Sequence, residues 1–356
     1  MMLDKDTLAQ KALELLKELI STPSFSEEED ETATAIDTWL KKFGVDTKRQ
    51  YNNIYAFNKY YDESKPNLLL NSHHDTVKPN SAYTKDPFNP HIEDGRLYGL
   101  GSNDAGGALC SLLATFVYFY GRKDLSYNII MSATAEEEDA GDKSISALLP
   151  ILPEIDVAIV GEPTQMQLAI AEKGLVVFEG VVEGTPSHAA HPNDNNAIYN
   201  TIEVLEWFKK YRFEKVSDVL GPVKMTVTQI NAGSQHNVVP GHVDLVIDTR
   251  VNDCYTNEEI NGILQKEAPC KLTPRSLNLS SSSISIDHPL VQSGIALGRD
   301  TYGSPTLSDQ AELSCQSLKL GPGDSVRSHS ADEFIYVQEV EEGVALYIDI
   351  LKGFLY

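Results

Sequence analysis

The sequence predicts an α/β fold with a mostly parallel sheet, interrupted by a smaller inserted α+β domain. Runs at residues 68–70, 129–131 and 157–160 are apolar on both faces and too short for helices, so they predict buried strands. Segments with helical spacing separate these runs, which is typical of a parallel sheet covered on two sides. From Gly174 the order changes to β-α-β-β-α-β, the pattern of a small antiparallel sheet with helices on one face.

The first part of the chain is predicted to begin with two helices. Apolar side chains at i, i+3 and i+4 place these helices over residues 6–20 and 28–43. The acidic run 27–31 lies at a helix start, where we expect a solvated first turn. A buried helix over residues 105–120 follows the first apolar strand and is bounded by glycines at both ends.

The inserted domain is predicted to contain two helices and four strands. The helices cover residues 195–211 and 256–267, where apolar side chains recur at helical spacing. Alternation of apolar and polar residues predicts strands over residues 176–181, 223–230, 243–251 and 272–279.

The first domain is expected to be discontinuous, because strand and helix patterns like those of its first part return after the insertion. A serine run at 280–283 is expected to be a flexible return linker. A segment with a helical pattern then begins at residue 288, and residues 315–320 are predicted to form a further short strand. The predicted boundaries are 1–173 together with 284–356 for the first domain, and 174–283 for the inserted domain.

The composition excludes several classes of protein. The 356 residues include 29 lysines and arginines and 52 aspartates and glutamates, so the formal charge of −23 excludes a nucleic acid or an anionic membrane as partner. No apolar run approaches the roughly 20 residues that span a bilayer, and the first 20 residues lack the pattern of a signal peptide. We therefore expect a cytoplasmic protein. The 4 cysteines form no Cys-x-x-Cys pair and are expected to be reduced thiols.

Polar residues that bind cations follow the predicted buried strands. His73 and Asp75 come after the first strand and point to the same side, because strand side chains alternate between faces. The carboxylate is thus placed to orient the imidazole for a metal. The other strand ends carry Asp104, the acidic run 136–139, Glu162 and His329.

These donors are expected to converge, because ligands in open α/β sheets gather at the carboxyl ends of the strands. Imidazole nitrogens and carboxylate oxygens suit zinc, and cobalt or manganese could substitute for it. A shared carboxylate would hold two ions roughly 3.5–4 Å apart. The sequence therefore predicts a metal site at this edge of the sheet.

Two other classes of protein remain as alternatives at this point. Residues 99–107 partly match a Gly-x-Gly-x-x-Gly dinucleotide loop, which leaves a dinucleotide-dependent oxidoreductase as a remote alternative. Asp104 disfavours it, since an acid stands where the pyrophosphate would lie. A metal-binding scaffold without catalysis is the second alternative.

Five segments in order resemble the M20 family of metallopeptidases and deacylases. The family includes acetylornithine deacetylase, succinyl-diaminopimelate desuccinylase, aminoacylases, carboxypeptidases and tripeptidases. The resemblance implies a di-zinc catalytic domain with an inserted ferredoxin-like domain that serves as lid and dimerisation domain. The segments are Ser-His-His-Asp at 72–75, Gly-Ser-Asn-Asp-Ala-Gly-Gly at 101–107, Thr-Ala-Glu-Glu-Glu at 134–138, Gly-Glu-Pro-Thr at 161–164 and Ser-His-Ser-Ala-Asp-Glu-Phe at 328–334.

The resemblance also implies a set of metal ligands. Asp104 would bridge two zinc ions. One ion would also bind His73 and Glu162, and the other would also bind Glu138 and His329. A cis peptide bond after Asp104 is a further implied feature of the family.

The implied catalytic residues are Glu137 as general acid and base, and Asp75 as the partner of the metal-binding histidine. Strand periodicity alone leaves Glu136, Glu137 and Glu138 equivalent, so this assignment depends on the resemblance. Within the lid motif at 184–192, His188 matches the histidine that reaches a partner subunit's site and stabilises the oxyanion. The resemblance thus implies a homodimer.

The resemblance suggests several substrate contacts. Arg250, with Asn237 beside it, would bind a substrate carboxylate, and an ordinary ion pair with Asp248 is the alternative for this arginine. Ser308 and Asp309 are further expected contacts. Desuccinylases of the family usually carry a Gly-Gly-Thr-Ser-Asp-Gly-Arg segment. At residues 304–311 this chain keeps the Ser-Asp of that segment but lacks its glycine pair and its arginine.

These observations predict hydrolysis of the amide bond of a small N-acyl amino acid. The first prediction is an acetylornithine deacetylase-like enzyme of arginine biosynthesis, acting on acetylornithine, acetylcitrulline or an N-succinyl counterpart. Succinyl-diaminopimelate desuccinylase and a di-/tripeptidase or carboxypeptidase of the family are the alternatives.

Overall fold

A computed structural model describes residues 4–356 of the chain. These residues form two compact units. The first contains the chain up to Ile170 together with Ser283–Tyr302 and Ser308–Tyr356. The second contains Ala171–Ser282 and Gly303–Leu307.

Within residues 4–356, seven α-helices and eighteen strands carry the fold. The helices are α1 Lys5–Ile20, α2 Asp30–Lys42, α3 Gly107–Phe119, α4 Ala197–Lys210, α5 Asn257–Glu267, α6 Pro289–Ala296 and α7 Val337–Leu355. The strands are β1 Thr47–Gln50, β2 Asn53–Phe57, β3 Asn67–His73, β4 His91–Glu93, β5 Arg96–Tyr98, β6 Asn128–Thr134, β7 Val157–Val160, β8 Leu168–Glu172, β9 Gly174–Glu183, β10 Ser187–His188, β11 Lys224–Ala232, β12 Val238–Val239, β13 His242–Val251, β14 Lys271–Pro274, β15 Ser282–Ser283, β16 Thr301–Ser304, β17 Gln316–Lys319 and β18 Phe334–Tyr336.

The main sheet has parallel strands at its centre and antiparallel strands toward its edges. Its order is β1-β2-β6-β3-β7-β17-β8-β15, with β16 paired to β8. Strand β3 runs parallel to β6 and β7, and β17 runs parallel to β7. The mostly parallel α/β sheet predicted from the apolar runs is thus confirmed. Because parallel strands end at the same edge, the residues that follow β3, β6, β7 and β17 come close together.

The core of the first unit forms around α3, whose side chains are nearly all apolar and buried. Helices α1 and α7 pack against it. The central strands β3 and β6 are buried along their whole length, which explains why their sequences lack polar alternation. Helix α7 and the β1–β2 hairpin were not predicted from the sequence.

The second unit contains an antiparallel sheet with the order β11-β13-β9-β14. Its elements β9, α4, β11, β13, α5 and β14 follow the predicted β-α-β-β-α-β order. Apolar residues of α4 and α5 are buried in one cluster with the sheet. The last strand ends at Pro274, so the prediction of a strand up to residue 279 was wrong.

Two further expectations need correction. The run 27–31 is not uniformly solvated, because the side chain of Glu29 is fully buried and accepts hydrogen bonds from the amide of Glu27 and from Asn52. Two serines of the expected linker, Ser282 and Ser283, form the short strand β15. Among residues 4–356, no helix combines the length and apolarity required to cross a membrane.

Candidate metal centre

The first part of the site is the end of β3. The Nε2 atom of His73 faces the carboxylate cluster, and its Nδ1 lies 2.9 Å from the carbonyl oxygen and 3.4 Å from the nearer carboxylate oxygen of Asp75. His74 turns to the opposite side, where its ring nitrogens contact the Thr32 hydroxyl and the carbonyl of Asn52. Strand alternation therefore separates the two histidines as expected.

Asp104 lies on an irregular turn, Ser102–Gly106, between β5 and α3. The turn begins after Gly101, whose φ of 73° lies in the left-handed region. The peptide bond between Asp104 and Ala105 is cis, as the resemblance implied. The two carboxylate oxygens of Asp104 face different histidines: Oδ1 lies 3.4 Å from His73 Nε2 and Oδ2 lies 3.7 Å from His329 Nε2.

Three consecutive glutamates after β6 point in three directions. Glu136, at a positive φ of 54°, turns its carboxylate to the amide of Lys143. The Oε2 atom of Glu137 lies 4.0 Å from His73 Nε2. The Oε2 atom of Glu138 lies 3.0 Å from His329 Nε2. The turn therefore distinguishes residues that strand periodicity left equivalent.

The remaining two residues of the cluster follow β7 and β17. The Oε1 atom of Glu162 lies 3.7 Å from His73 Nε2. His329 lies in the loop between β17 and β18 with a positive φ of 56°. The structure thus brings together His73, Asp104, Glu137, Glu138, Glu162 and His329.

Two carboxyl groups of this cluster are shifted toward the protonated form. Burial raises the pKa of Glu137 well above its ordinary range, against the opposing effect of His73. Burial, followed by repulsion from Asp104, raises the pKa of Glu162 to about 8. Both shifts arise because a carboxylate loses its hydration on burial and meets further negative charge.

Both histidines of the cluster are shifted toward the charged form. Burial lowers the pKa of His73, but hydrogen bonds with Asp104 and Asp75 outweigh burial and raise it well above its ordinary value. The hydrogen bond with Glu138 is the largest cause that raises the pKa of His329 to about 9. The cluster therefore takes up positive charge, and a divalent cation would supply that charge in place of protons.

The donor atoms also have the spacing of a metal-ligand set. Ligand atoms of His73, Asp104 and Glu138 all lie within 4.8 Å of one another. Zinc bonds of about 2.0–2.1 Å in a tetrahedron separate the ligand atoms by about 3.3 Å. The distances from the imidazole nitrogens to the carboxylate oxygens of Asp104, Glu138 and Glu162 range from 3.0 Å to 3.7 Å. These residues therefore fit a divalent metal ion.

Asp75 holds the loop that carries the glutamates. Its carboxylate accepts hydrogen bonds from the amides of Glu137 and Glu138, both at 3.1 Å, and from the hydroxyl of Ser26 at 2.8 Å. It is fully buried. Sequence reasoning missed Ser26, which lies in a loop far from the motifs and carries no signal of its own.

The second unit contains His188, Asn237 and Arg250. His188 is exposed, and its Nδ1 accepts a hydrogen bond from the amide of Ala190. Asn237 is also exposed, and its carbonyl accepts from the amide of Ala189. The guanidinium of Arg250 forms a two-point pair with Asp248, with both distances at 3.0 Å.

Ser308 and Asp309 are both buried in the first unit. The Oδ2 atom of Asp309 accepts hydrogen bonds from Asn71 and Thr134, each at 2.6 Å. These partners lie near the ends of β3 and β6. The carboxylate of Asp309 thus ties its loop to the strands that carry the metal centre.

The α/β sheet and this carboxylate and histidine cluster define a metal-dependent hydrolase with an inserted α+β domain. Comparison with known families agrees with this class: the family model described as "Peptidase family M20/M25/M40" matches residues 69–353. The chain therefore belongs to peptidase family M20/M25/M40.

Two similar proteins are named succinyl-diaminopimelate desuccinylase. Succinyl-diaminopimelate desuccinylase of Wolbachia pipientis wMel is 27% identical in an alignment of 378 positions, which covers 96% of this chain and 93% of that protein. The enzyme of the same name from Ehrlichia ruminantium (strain Gardel) is 26% identical in an alignment of 389 positions, which covers 99% of this chain and 98% of that protein.

Solved structures share the fold over nearly the whole chain. A dinuclear metal-binding peptidase of the M20 family from Bacillus subtilis has a TM-score of 0.76 at 14% identity, covering 98% of this chain and 99% of that one. A tripeptidase from Staphylococcus aureus has a TM-score of 0.75 at 19% identity, covering 99% of both chains.

Proposed function

We propose that this chain is an amidohydrolase with two metal ions that removes the acyl group from a small N-acyl amino acid. The observation that carries the proposal is the placement of Asp104, whose two oxygens face the two histidines of the cluster, with Glu137 alongside. This arrangement offers two adjacent cation positions that share one carboxylate, together with a free acid for proton transfer.

The first metal ion would be held by His73, Asp104 and Glu162, and the second by Asp104, Glu138 and His329. Zinc suits this mixture of nitrogen and oxygen donors, and cobalt or manganese could replace it. A divalent ion in such a site polarises the amide carbonyl and makes a water acidic enough to attack at neutral pH.

Glu137 would take the proton of the attacking water and pass it to the leaving amine. A group that both accepts and donates a proton works best with a pKa near the operating pH. Burial shifts the pKa of Glu137 upward from its ordinary value, which is the required direction. Asp75 would act through the two amides that it holds, because these set the positions of Glu137 and Glu138.

His188 would donate a hydrogen bond to the oxyanion. Its Nδ1 accepts from the amide of Ala190, so the neutral ring carries its proton on Nε2. An exposed N–H of this kind is what a developing negative charge requires. We propose that this histidine acts in the site of a partner subunit.

A homodimer through the second unit is supported by two surfaces of that unit. Strand β11 lies at the end of the sheet order, so its outer edge is available for pairing. Helix α4 exposes Ile198, Tyr199 and Ile202, with 44%, 69% and 58% of their surfaces accessible. Ile202→Asp should convert a dimer to a monomer in light scattering, whereas a monomeric unsubstituted protein would contradict the proposal.

The identity of the acyl group separates two versions of this function. The names of the similar proteins favour succinyl-diaminopimelate desuccinylase over the acetylornithine deacetylase expected from the sequence. Against this, the segment 304–311 lacks the glycine pair and arginine of the desuccinylase pattern. We place the desuccinylase first and keep acetylornithine deacetylase, and a peptidase of the family, as the alternatives.

The substrate carboxylate would be bound by Arg250 and Asn237, and Ser308 and Asp309 stay predicted substrate contacts of the first unit. The pair with Asp248 fixes the planar guanidinium of Arg250, which then offers its remaining N–H groups to a ligand. Arg250→Lys should raise KM for a carboxylate substrate far more than it lowers kcat, because an ammonium lacks the fork geometry.

The deciding experiment measures hydrolysis of succinyl-diaminopimelate, succinylornithine, acetylornithine and acetylcitrulline by the zinc-loaded enzyme. A preference in kcat/KM for succinyl-diaminopimelate supports the desuccinylase. A preference for either acetyl substrate supports the deacetylase instead. Inactivity on all four, with activity on di- or tripeptides, would assign the chain to the peptidases, and less than one metal ion per chain would refute the proposal as a whole.

A further inference from the structure

The loop that carries Asp104 is held by a buried carboxylate from another part of the chain. Oε1 of Glu333 accepts hydrogen bonds from the amides of Asn103 at 2.8 Å and Asp104 at 2.9 Å. Oε2 of Glu333 accepts from the amide of Gly101 at 3.1 Å. The side chain of Glu333 is only 2% exposed, so water does not replace these bonds.

Glu333 belongs to the loop that also carries His329. It directly precedes β18, and its own carbonyl accepts a hydrogen bond from the amide of Gly99 at 3.0 Å. A second connection joins the same two loops, because the side-chain amide of Asn103 bonds to the carbonyl of Asp324, and the amide of Asp324 bonds back to Asn103. These bonds thus fasten the loop of Asp104 to the loop of His329.

We propose that Glu333 is a positioning residue that holds the backbone of the Asp104 turn in the one arrangement that directs its two oxygens to the two histidines. This role rests on the proposed metal site, because it acts on the residue that would bridge the ions. Both oxygens of Glu333 accept hydrogen bonds from backbone amides, so we assign Glu333 to the support of the turn and not to the set of metal ligands.

The chemistry of the three bonds makes the role testable by small substitutions. In Glu333→Gln, the amide oxygen can keep the bonds to Asn103 and Asp104, but the NH₂ group then faces the N–H of Gly101, donor against donor. Glu333→Asp retains two acceptor oxygens on a side chain one methylene shorter. It should therefore recover part of what the glutamine loses.

The neighbouring Asp332 provides a matched control. Its carboxylate also accepts bonds from backbone amides, those of Thr84 and Lys85, and from the hydroxyl of Thr84. The loop that it holds carries none of the candidate ligands. Asp332→Asn removes a comparable carboxylate from the adjacent position. It therefore measures how a general loss of hydrogen bonds in this region affects amide exchange and cobalt affinity.

Two measurements test the role. The first is hydrogen exchange of the amides of residues 101–104 in the metal-free protein, which reports the three bonds directly. The second is the affinity for cobalt, with the visible spectrum of the bound ion. For Glu333→Gln we expect faster exchange at residues 101–104, an affinity for cobalt lower by about 10- to 100-fold, and an altered spectrum.

The same measurements on Asp332→Asn should match those of the unsubstituted protein, and Glu333→Asp should fall between the two. Unchanged exchange and affinity in Glu333→Gln would overturn the role, and so would equal losses in both control and test variants. Absence of cobalt binding by the unsubstituted protein would refute the proposed metal site instead, and with it this role. If the glutamine variant does not fold, the aspartate variant gives the same comparison.

Discussion

The three glutamates after β6 should respond in three different ways to the same isosteric change. Glu137→Gln keeps the size of the side chain and leaves the backbone bond to Asp75, 3.1 Å long, in place. It removes only the ability to transfer a proton. Acid–base catalysis of this kind contributes about 10²–10⁴-fold, so kcat should fall by that factor, equivalent to roughly 2.7–5.5 kcal/mol of barrier.

The two neighbours serve as controls. Glu138→Gln removes the anionic donor that lies 3.0 Å from His329, so one of the two metal ions should be lost together with activity. Glu136→Gln alters a carboxylate that faces Lys143, away from the cluster. Its kcat and metal content should be unchanged, with a loss of about 1 kcal/mol or less in stability.

The assay combines zinc content by atomic absorption with kcat and KM on the best N-acyl amino acid. The expected pattern is full metal without turnover for Glu137→Gln, partial metal without turnover for Glu138→Gln, and full metal with turnover for Glu136→Gln. Turnover within tenfold of the unsubstituted enzyme in Glu137→Gln would refute its role. Loss of metal in that variant would show that Glu137 is a ligand.

Three other predictions concern removal of the metal, the space around two glycines and the hydrogen bonds of Asp75. Chelation should lower Tm reversibly, because a metal at about 1,000 times its Kd stabilises the fold by roughly 4 kcal/mol; a Tm that neither falls with chelator nor recovers with zinc would contradict the metal site. Gly106→Ala should lower the free energy of unfolding, measured in urea, by about 1–3 kcal/mol, because the added Cβ would lie 2.5 Å from the carbonyl oxygen of Gly101. A Cβ added at Gly262 in α5 would meet open space, so Gly262→Ala should raise the free energy of unfolding by up to about 1 kcal/mol. Equal effects in the two glycine variants would refute this contrast. Asp75→Asn should lower kcat or zinc affinity about 10- to 100-fold, measured by titration against a chelator, because one acceptor oxygen is lost; unchanged values would contradict its positioning role.

Features with a local pattern were predictable from the sequence. The strands β3, β6 and β7 are short apolar runs, and polar residues mark their ends, so both the sheet and the position of the cluster follow from the chain itself. The order of helices and strands in the second unit is predictable for the same reason, because each element carries its own periodicity.

Features that depend on distant partners were not predictable. Glu29 lies in the acidic run that was expected to be solvated, yet it is buried and accepts a hydrogen bond from the side-chain amide of Asn52, 23 positions away. Glu333 is also buried and accepts hydrogen bonds from backbone amides. For Glu333 these amides are about 230 positions away in the sequence. The three directions of the glutamates after β6 depend on the positive φ of Glu136 and on Asp75, neither of which has a local signal.

The position of β17 in the main sheet determines the order in which a newly synthesised chain is completed. This strand lies between β7 and β8, although more than a hundred residues separate it from either in the sequence. A ribosome that adds roughly 5–20 residues per second therefore completes Ala171–Ser282, the larger segment of the second unit, several seconds before β17 can fill this gap in the sheet. His329 follows β17 in the sequence, so a nascent chain that lacks β17 also lacks one of the proposed metal ligands.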